Sequence, residues 1–230
     1  MRIQEREKAC FQVLEKLPLD NYVLIGGYAT SSFEFPRFSV DLDLVIEKKN
    51  KETFIRILSK EDFSQTTETE NLDKFYKGQS LRFEKKIDNF PVSVDLMIDA
   101  VVSRQTNVSY KFSYLFKNST LREVVGSTLD FQVNARVATR EILIALKLSS
   151  LRLSDIRDII ALCFGEIDKE RLKKHLQRCP GDKIKENIHT ALQVLRDERH
   201  KDSIKGVFSL SDSTYEKITG KAEKVLKALV

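Results

Sequence analysis

The 230-residue chain has no tryptophan, only three histidines and three cysteines, four prolines and eight glycines. Cys10, Cys163 and Cys179 are odd in number, far apart, and in neither Cys-x-x-Cys nor paired Cys/His spacing. That pattern argues against a disulfide framework or a zinc site and for a reducing, cytoplasmic compartment. His175, His189 and His200 are scattered through charged stretches and are expected at the surface. No apolar run approaches the roughly 20 residues needed to cross a bilayer, so no membrane partner is expected. The opening stretch MRIQEREKACFQVLEKL alternates charged and apolar residues at helical spacing and lacks the apolar region of a signal peptide, so it is expected to be a helix of the mature protein.

Charge is abundant but mixed in sign. Residues 1–167 hold 24 Lys or Arg against 24 Asp or Glu, and residues 168–230 hold 15 against 10, so the last stretch carries the whole net charge of +5. An acidic partner would suit that excess, although a Lys-rich face on an exposed helix is more often a solvated surface.

Hydrophobic periodicity divides the chain into two styles. In the first, residues 22–25 read as a strand, 28–35 as a short helix stopped by Pro36, 40–47 as a second strand and 51–59 as a helix with Phe54, Ile55 and Leu58 on its apolar face. The polar run 64–70 reads as a loop. Residues 81–87 and 91–97 flank Asp88-Asn89, a good two-residue hairpin turn. Short strands are expected at 121–125 and 129–133, joined across Gly126-Ser127. From Thr139 onward nearly everything reads as helix: 140–149 capped by Thr139, 155–164 capped by Ser154, then 168–178, 182–199 and 213–229. No internal repeat and no long linker is visible. The expected architecture is α/β (α+β): a mixed-sheet domain over residues 1–135 followed by a helical domain over 136–230.

Asp41 and Asp43, in Val-Asp-Leu-Asp-Leu-Val, are the residues that most ask for an explanation. Two residues apart on a strand means one shared face, with alpha carbons roughly 6.7 Å apart. Unpartnered, at an effective dielectric near 20 and a separation of about 5 Å, the two carboxylates would repel by on the order of 3 kcal/mol. A cation should sit with them, and a hard divalent metal such as Mg²⁺ suits an all-oxygen site. Asp95 is a lone acid in the apolar strand 91–97, a costly position unless it is paired or bound. If that strand lies beside 40–47, Asp95 completes a three-carboxylate cluster; Asp99, near the strand's end, is the competing candidate.

Gly26-Gly27, then Arg37-x-Ser39-x-Asp41-x-Asp43, then Asp95 on a later strand, resembles the signature of the polymerase-β-like nucleotidyltransferase superfamily over roughly residues 20–100. A second block, Lys147-x4-Arg152-x2-Asp155-x2-Asp158, looks like the helical motif of the abortive-infection toxin nucleotidyltransferases of the AbiEii/AbiGii type, as does Gly26-Gly27-Tyr28-Ala29 where many relatives have Gly-Ser. The resemblance implies a metal-dependent transfer of a nucleoside monophosphate from a nucleoside triphosphate to an acceptor hydroxyl. Asp41, Asp43 and Asp95 would hold Mg²⁺ or Mn²⁺, and Gly26, Gly27, Arg37, Ser39 and Lys147 would lie against the nucleotide. Arg152, Asp155 and Asp158 are expected to form an ion network locking the two domains. The acceptor it implies is RNA, with the 3′ end of tRNA leading, in a toxin–antitoxin or abortive-infection setting with an antitoxin as a possible protein partner. A protein-modifying transferase, a small-molecule acceptor, a non-catalytic nucleotide- or RNA-binding module and a partner-dependent regulatory subunit remain alternatives.

Overall fold

A computed structural model of the chain describes residues 2–70 and 78–230, and it is a mixed α/β structure. The chain divides into two compact units: Met1–Val102 with Ser109–Thr139, and Ser103–Val108 with Arg140–Val230. Among the described residues no helix is long and apolar enough to cross a membrane.

The first unit opens with α1 (Arg2–Lys16), followed by β1 (Tyr22–Ile25), α2 (Gly26–Ser31), β2 (Asp41–Ile46), α3 (Lys51–Lys60), β3 (Ser64–Thr69), β4 (Gln79–Ile87) and β5 (Phe90–Ile98). A two-stranded ribbon, β6 (Ala100–Val102) with β7 (Ser109–Lys111), leads into α4 (Phe112–Lys117), β8 (Ser119–Val125) and β9 (Gln132–Ala138). Seven strands form one sheet in the order β3-β4-β5-β2-β1-β9-β8. β2 runs parallel to β5 and β1 parallel to β9, while the other neighbours are antiparallel. The central strands carry their own apolar runs: all four residues of β1 are buried, as are Leu42, Leu44, Val45 and Ile46 of β2. Asp88 and Asn89 take the left-handed conformation (φ 49° and 66°) that a two-residue hairpin turn requires, and so fix the β4–β5 register.

Three local expectations are corrected here. Residues 64–69 form an edge strand rather than a loop, with Ser64–Glu68 exposed. Its pairing comes from the β4 backbone, so no apolar alternation marks it in the sequence. The connection between β8 and β9 is a wide turn over 126–131, closed by Gly126 N–H to Phe131 C=O (2.9 Å), and β9 begins only at Gln132. The buried carboxylate of Glu7 in α1 shapes that turn, accepting from the backbone N–H of Ser127 (2.9 Å), Thr128 (2.8 Å) and Leu129 (3.1 Å) and from both hydroxyls. Finally, the helix after β1 starts on the glycine pair itself and ends at Ser31, well before Pro36.

The second unit is helical: α5 (Arg140–Ser150), α6 (Leu153–Leu162), α7 (Lys169–Leu176), α8 (Gly181–Arg196), α9 (Lys201–Phe208) and α10 (Asp212–Lys227). α5 packs against α6, α7 and α8, burying Ile142, Leu143, Ile144, Ala145 and Leu148. The hydroxyl of Thr139 makes no hydrogen bond among the described residues, and Ser154 lies inside α6, so neither is the cap expected of it. Asp155 caps α6 instead, accepting from the backbone N–H of Arg152 at 2.9 Å. Asp168 caps α7 through Arg171 N–H (3.0 Å), and Ser211 caps α10 through Thr214 N–H (3.2 Å). His175 is buried rather than exposed, on the same face of α7 as Leu172 and Leu176.

Candidate functional site

The β-sheet register assembles the carboxylates. Asp43 on β2 lies directly beside Asp95 on β5, and Asp95 lies beside Arg82 on β4. Two register positions along, Asp41 lies beside Ser93, and Ser93 beside Glu84. The positions differ by two residues along each strand, so all six side chains stand on one face in two adjacent rows of three, Arg82–Asp95–Asp43 and Glu84–Ser93–Asp41. Asp99 is not part of this group. It sits past the end of β5 at φ 64° and accepts from the backbone N–H of Lys48 at 2.9 Å, which makes it a turn residue.

Arg82 bridges the rows. Its Nε lies 3.3 Å from Glu84 and 3.7 Å from Asp95, and its Nη2 lies 3.9 Å from Asp41 while donating to Ser93 Oγ at 2.9 Å. Ser93 in turn donates to Asp41 Oδ1 at 3.2 Å. A cation is therefore present as a side chain beside Asp41 and Asp95. The acids still crowd one another: burial pushes the Asp95 carboxyl above its ordinary range, Arg82 pulls it back, and Asp41 and Glu84 push it further up.

The glycine pair closes the cluster from the β1 side. Gly26 has φ +72°, and a Cβ there would lie 1.8 Å from Asp43 Oδ2; at Gly27 it would lie 2.4 Å from Ser39 Oγ and 3.0 Å from an Arg37 guanidinium nitrogen. The glycines thus allow Asp43, Ser39 and Arg37 to pack directly on the start of α2. Two further anchors hold residues 37–39 there. Ser31 Oγ donates to the Arg37 carbonyl (2.9 Å) and accepts from its N–H (3.1 Å), while Tyr28 donates its hydroxyl to the Ser39 carbonyl (2.8 Å).

Asp41, Asp43, Asp95, Gly26, Gly27, Arg37 and Ser39 all belong to the first unit. Lys147, Arg152, Asp155 and Asp158 belong to the helical unit, where Lys147 Nζ meets Asp155 Oδ1 at 3.3 Å and Asp158 Oδ2 at 2.5 Å. All three of these ionised groups are nearly or fully buried, and Arg152 adds a second pair to Asp155 at 3.0 Å. Burial alone would raise the Asp155 pKa, but hydrogen bonding by Arg152 and the charge of Lys147 bring it below its usual value. These bonds fasten α5 to α6 within the helical unit. Elsewhere, burial pushes the Cys10 and Cys163 thiols up to about 12, which removes both as nucleophiles at neutral pH.

Arg82, Ser93 and Glu84 escaped the sequence reading, although the signal was there: counting back from the Asp88-Asn89 turn pairs Arg82 with Asp95 and Glu84 with Ser93.

The donor chemistry fits a hard divalent cation, since Asp41, Asp43 and Asp95 offer only oxygen from one face. Asp41 and Asp95 are drawn up around Arg82, and among the described residues no three His, Cys, Asp or Glu side chains converge closely enough to hold a metal ion.

No protein-family profile and no curated protein matches the chain. Among solved structures it is similar to a candidate nucleotidyltransferase of H. pylori, at 15% identity and a TM-score of 0.46 over 99% of this chain and 94% of that one. JHP933 from Helicobacter pylori gives 15% and 0.44 over 98% and 91%. A candidate nucleotidyltransferase of Thermotoga maritima gives 16% and 0.35 over 57% and 76%.

Proposed function

We propose that this chain is a metal-dependent nucleotidyltransferase, moving a nucleoside monophosphate from a nucleoside triphosphate to an acceptor hydroxyl with release of pyrophosphate. The observation that carries this is the pairing of Asp43 with Asp95 across parallel strands, with Asp41 on the same face and the Gly26-Gly27 backbone packed against Asp43, Ser39 and Arg37. Asp41, Asp43 and Asp95 would hold Mg²⁺ or Mn²⁺, which when bound neutralises charge on the transferring phosphoryl group. Asp95, beside Asp43 across the parallel strands, would hold the metal that activates the attacking hydroxyl or serve as that hydroxyl's base. Arg37 and Ser39, pinned to α2 by Ser31 and Tyr28, offer a cation and a hydroxyl beside Asp43 for orienting the triphosphate.

RNA is the acceptor we favour, with the 3′ end of tRNA first. The Lys/Arg excess of residues 168–230 supports this through phosphate contacts that would weaken as salt rises. A toxin or abortive-infection role rests on the motif resemblance. The test is incubation of the full chain with Mg²⁺, each α-labelled nucleoside triphosphate in turn and total RNA, resolved on a denaturing gel. A labelled RNA band that disappears with Asp41→Ala/Asp43→Ala supports the proposal. Label on a protein band instead would move the acceptor to protein hydroxyls, and no label on either would favour a nucleotide-binding module without transfer.

A further inference from the structure

The transfer proposed above makes no use of Arg82, yet this residue has contacts across both rows of the cluster. Four carboxylates, those of Asp41, Asp43, Glu84 and Asp95, stand on six neighbouring sheet positions, and Arg82 is the cation among those six. Its guanidinium lies within 4 Å of three of them, at 3.3, 3.7 and 3.9 Å. Two of those three, Asp41 and Asp95, are the residues assigned to the metal. A guanidinium and a divalent cation draw on the same carboxylate oxygens, and a dication brought beside an undisplaced Arg82 would be repelled by it.

We propose that Arg82 is a built-in counter-ion of the carboxylate cluster, which a divalent cation must displace from Asp41 and Asp95 before the site is loaded. The proposal rests on the nucleotidyltransferase reading and adds to it a threshold for metal uptake set by this chain's own residue. The geometry suits displacement. The Arg82 side chain is 41% exposed, its buried Nε makes no hydrogen bond among the described residues, and its shortest ionic contact is to Glu84, which is not assigned to the metal. Glu84 can keep the guanidinium while the other two carboxylates release it. Ser93, which takes a hydrogen bond from Arg82 and gives one to Asp41, would then be free to turn with either partner.

The test measures Mn²⁺ binding to the full chain without nucleotide, following free Mn²⁺ by electron paramagnetic resonance. Arg82→Met should bind Mn²⁺ about tenfold more tightly or better, because a positive charge a few ångströms from the dication has gone. Arg82→Lys, which keeps the charge, should stay closer to the unmodified chain. In metal-free buffer Arg82→Met should also melt below the unmodified chain, with the gap narrowing once Mn²⁺ saturates both. If the unmodified chain binds Mn²⁺, loses it in Asp43→Asn and is unmoved by Arg82→Met, the role of Arg82 is rejected and the site assignment stands. Equal tightening by Arg82→Lys and Arg82→Met would reject the charge argument. Failure of both the unmodified chain and Arg82→Met to bind Mn²⁺ would overturn this proposal and the metal assignment together.

Discussion

Gly26 and His175 show how much a single position can decide. Gly26 combines a left-handed backbone with a carboxylate lying where a side chain would begin. Gly26→Ala would therefore meet a backbone penalty of about 1–2 kcal/mol and force Asp43 to move. The expected outcome is a lower melting temperature with nucleotide transfer lost. A variant as stable and as active as the unmodified chain would show that Asp43 does not need this seat. At His175, burial first and then the charge of Arg171 depress the pKa from 6.5 to about 4. The unfolded chain consequently binds more protons than the folded one between those values, so stability rises with pH across that window. Stability should be full above about pH 6.5 and fall by up to about 3 kcal/mol as pH drops towards 4, as far as this group is concerned. Melting curves of the unmodified chain and His175→Asn across the window check this. The slope should be shallower in the variant.

Among the elements, two connections hold by buried charge, and each can be broken from one side. Lys147 joins α5 to α6 through Asp155 and Asp158, so Lys147→Met would leave two buried carboxylates short of a partner and cost about 3–5 kcal/mol by chemical denaturation. Glu7 gathers three backbone N–H groups and two hydroxyls of the β8–β9 turn onto α1, and Glu7→Ala should cost about 3 kcal/mol. The same elements show what the sequence discloses. β1, β2 and β5 were legible because core strands carry their own apolar runs, and Asp43 beside Asp95 followed once β2 and β5 were neighbours. β3 was not legible, because an edge strand exposed over most of its length needs only its partner's backbone. Arg82 alternates with the buried Leu81 and Phe83 of β4, a pattern common to charged residues on half-exposed strands, and only the turn register places it beside Asp95. His175 was hidden by its charged neighbours, though Leu172, His175 and Leu176 follow the spacing of one buried helical face.

For the molecule as a whole, an acidic cluster on the sheet of the first unit is matched in the sequence by a Lys/Arg excess in the last 63 residues, those from 168 to 230. That division suits an enzyme whose chemistry lies at the carboxylates and whose acceptor is a polyanion. It also predicts that transfer to RNA will fall steeply with salt while melting temperature changes little. The chemistry proposed for Asp41, Asp43 and Asp95 is narrower than the choice of acceptor: a pyrophosphate-releasing transfer. The most direct measurement is pyrophosphate release from each nucleoside triphosphate, with Mg²⁺ and RNA, by the unmodified chain and by Asp43→Asn, after melting curves show both to be folded. The account predicts release by the unmodified chain with at least one nucleotide and loss of at least about 100-fold in Asp43→Asn, as expected when charge stabilisation at the reacting phosphoryl group is removed. Equal release by the two proteins would contradict it.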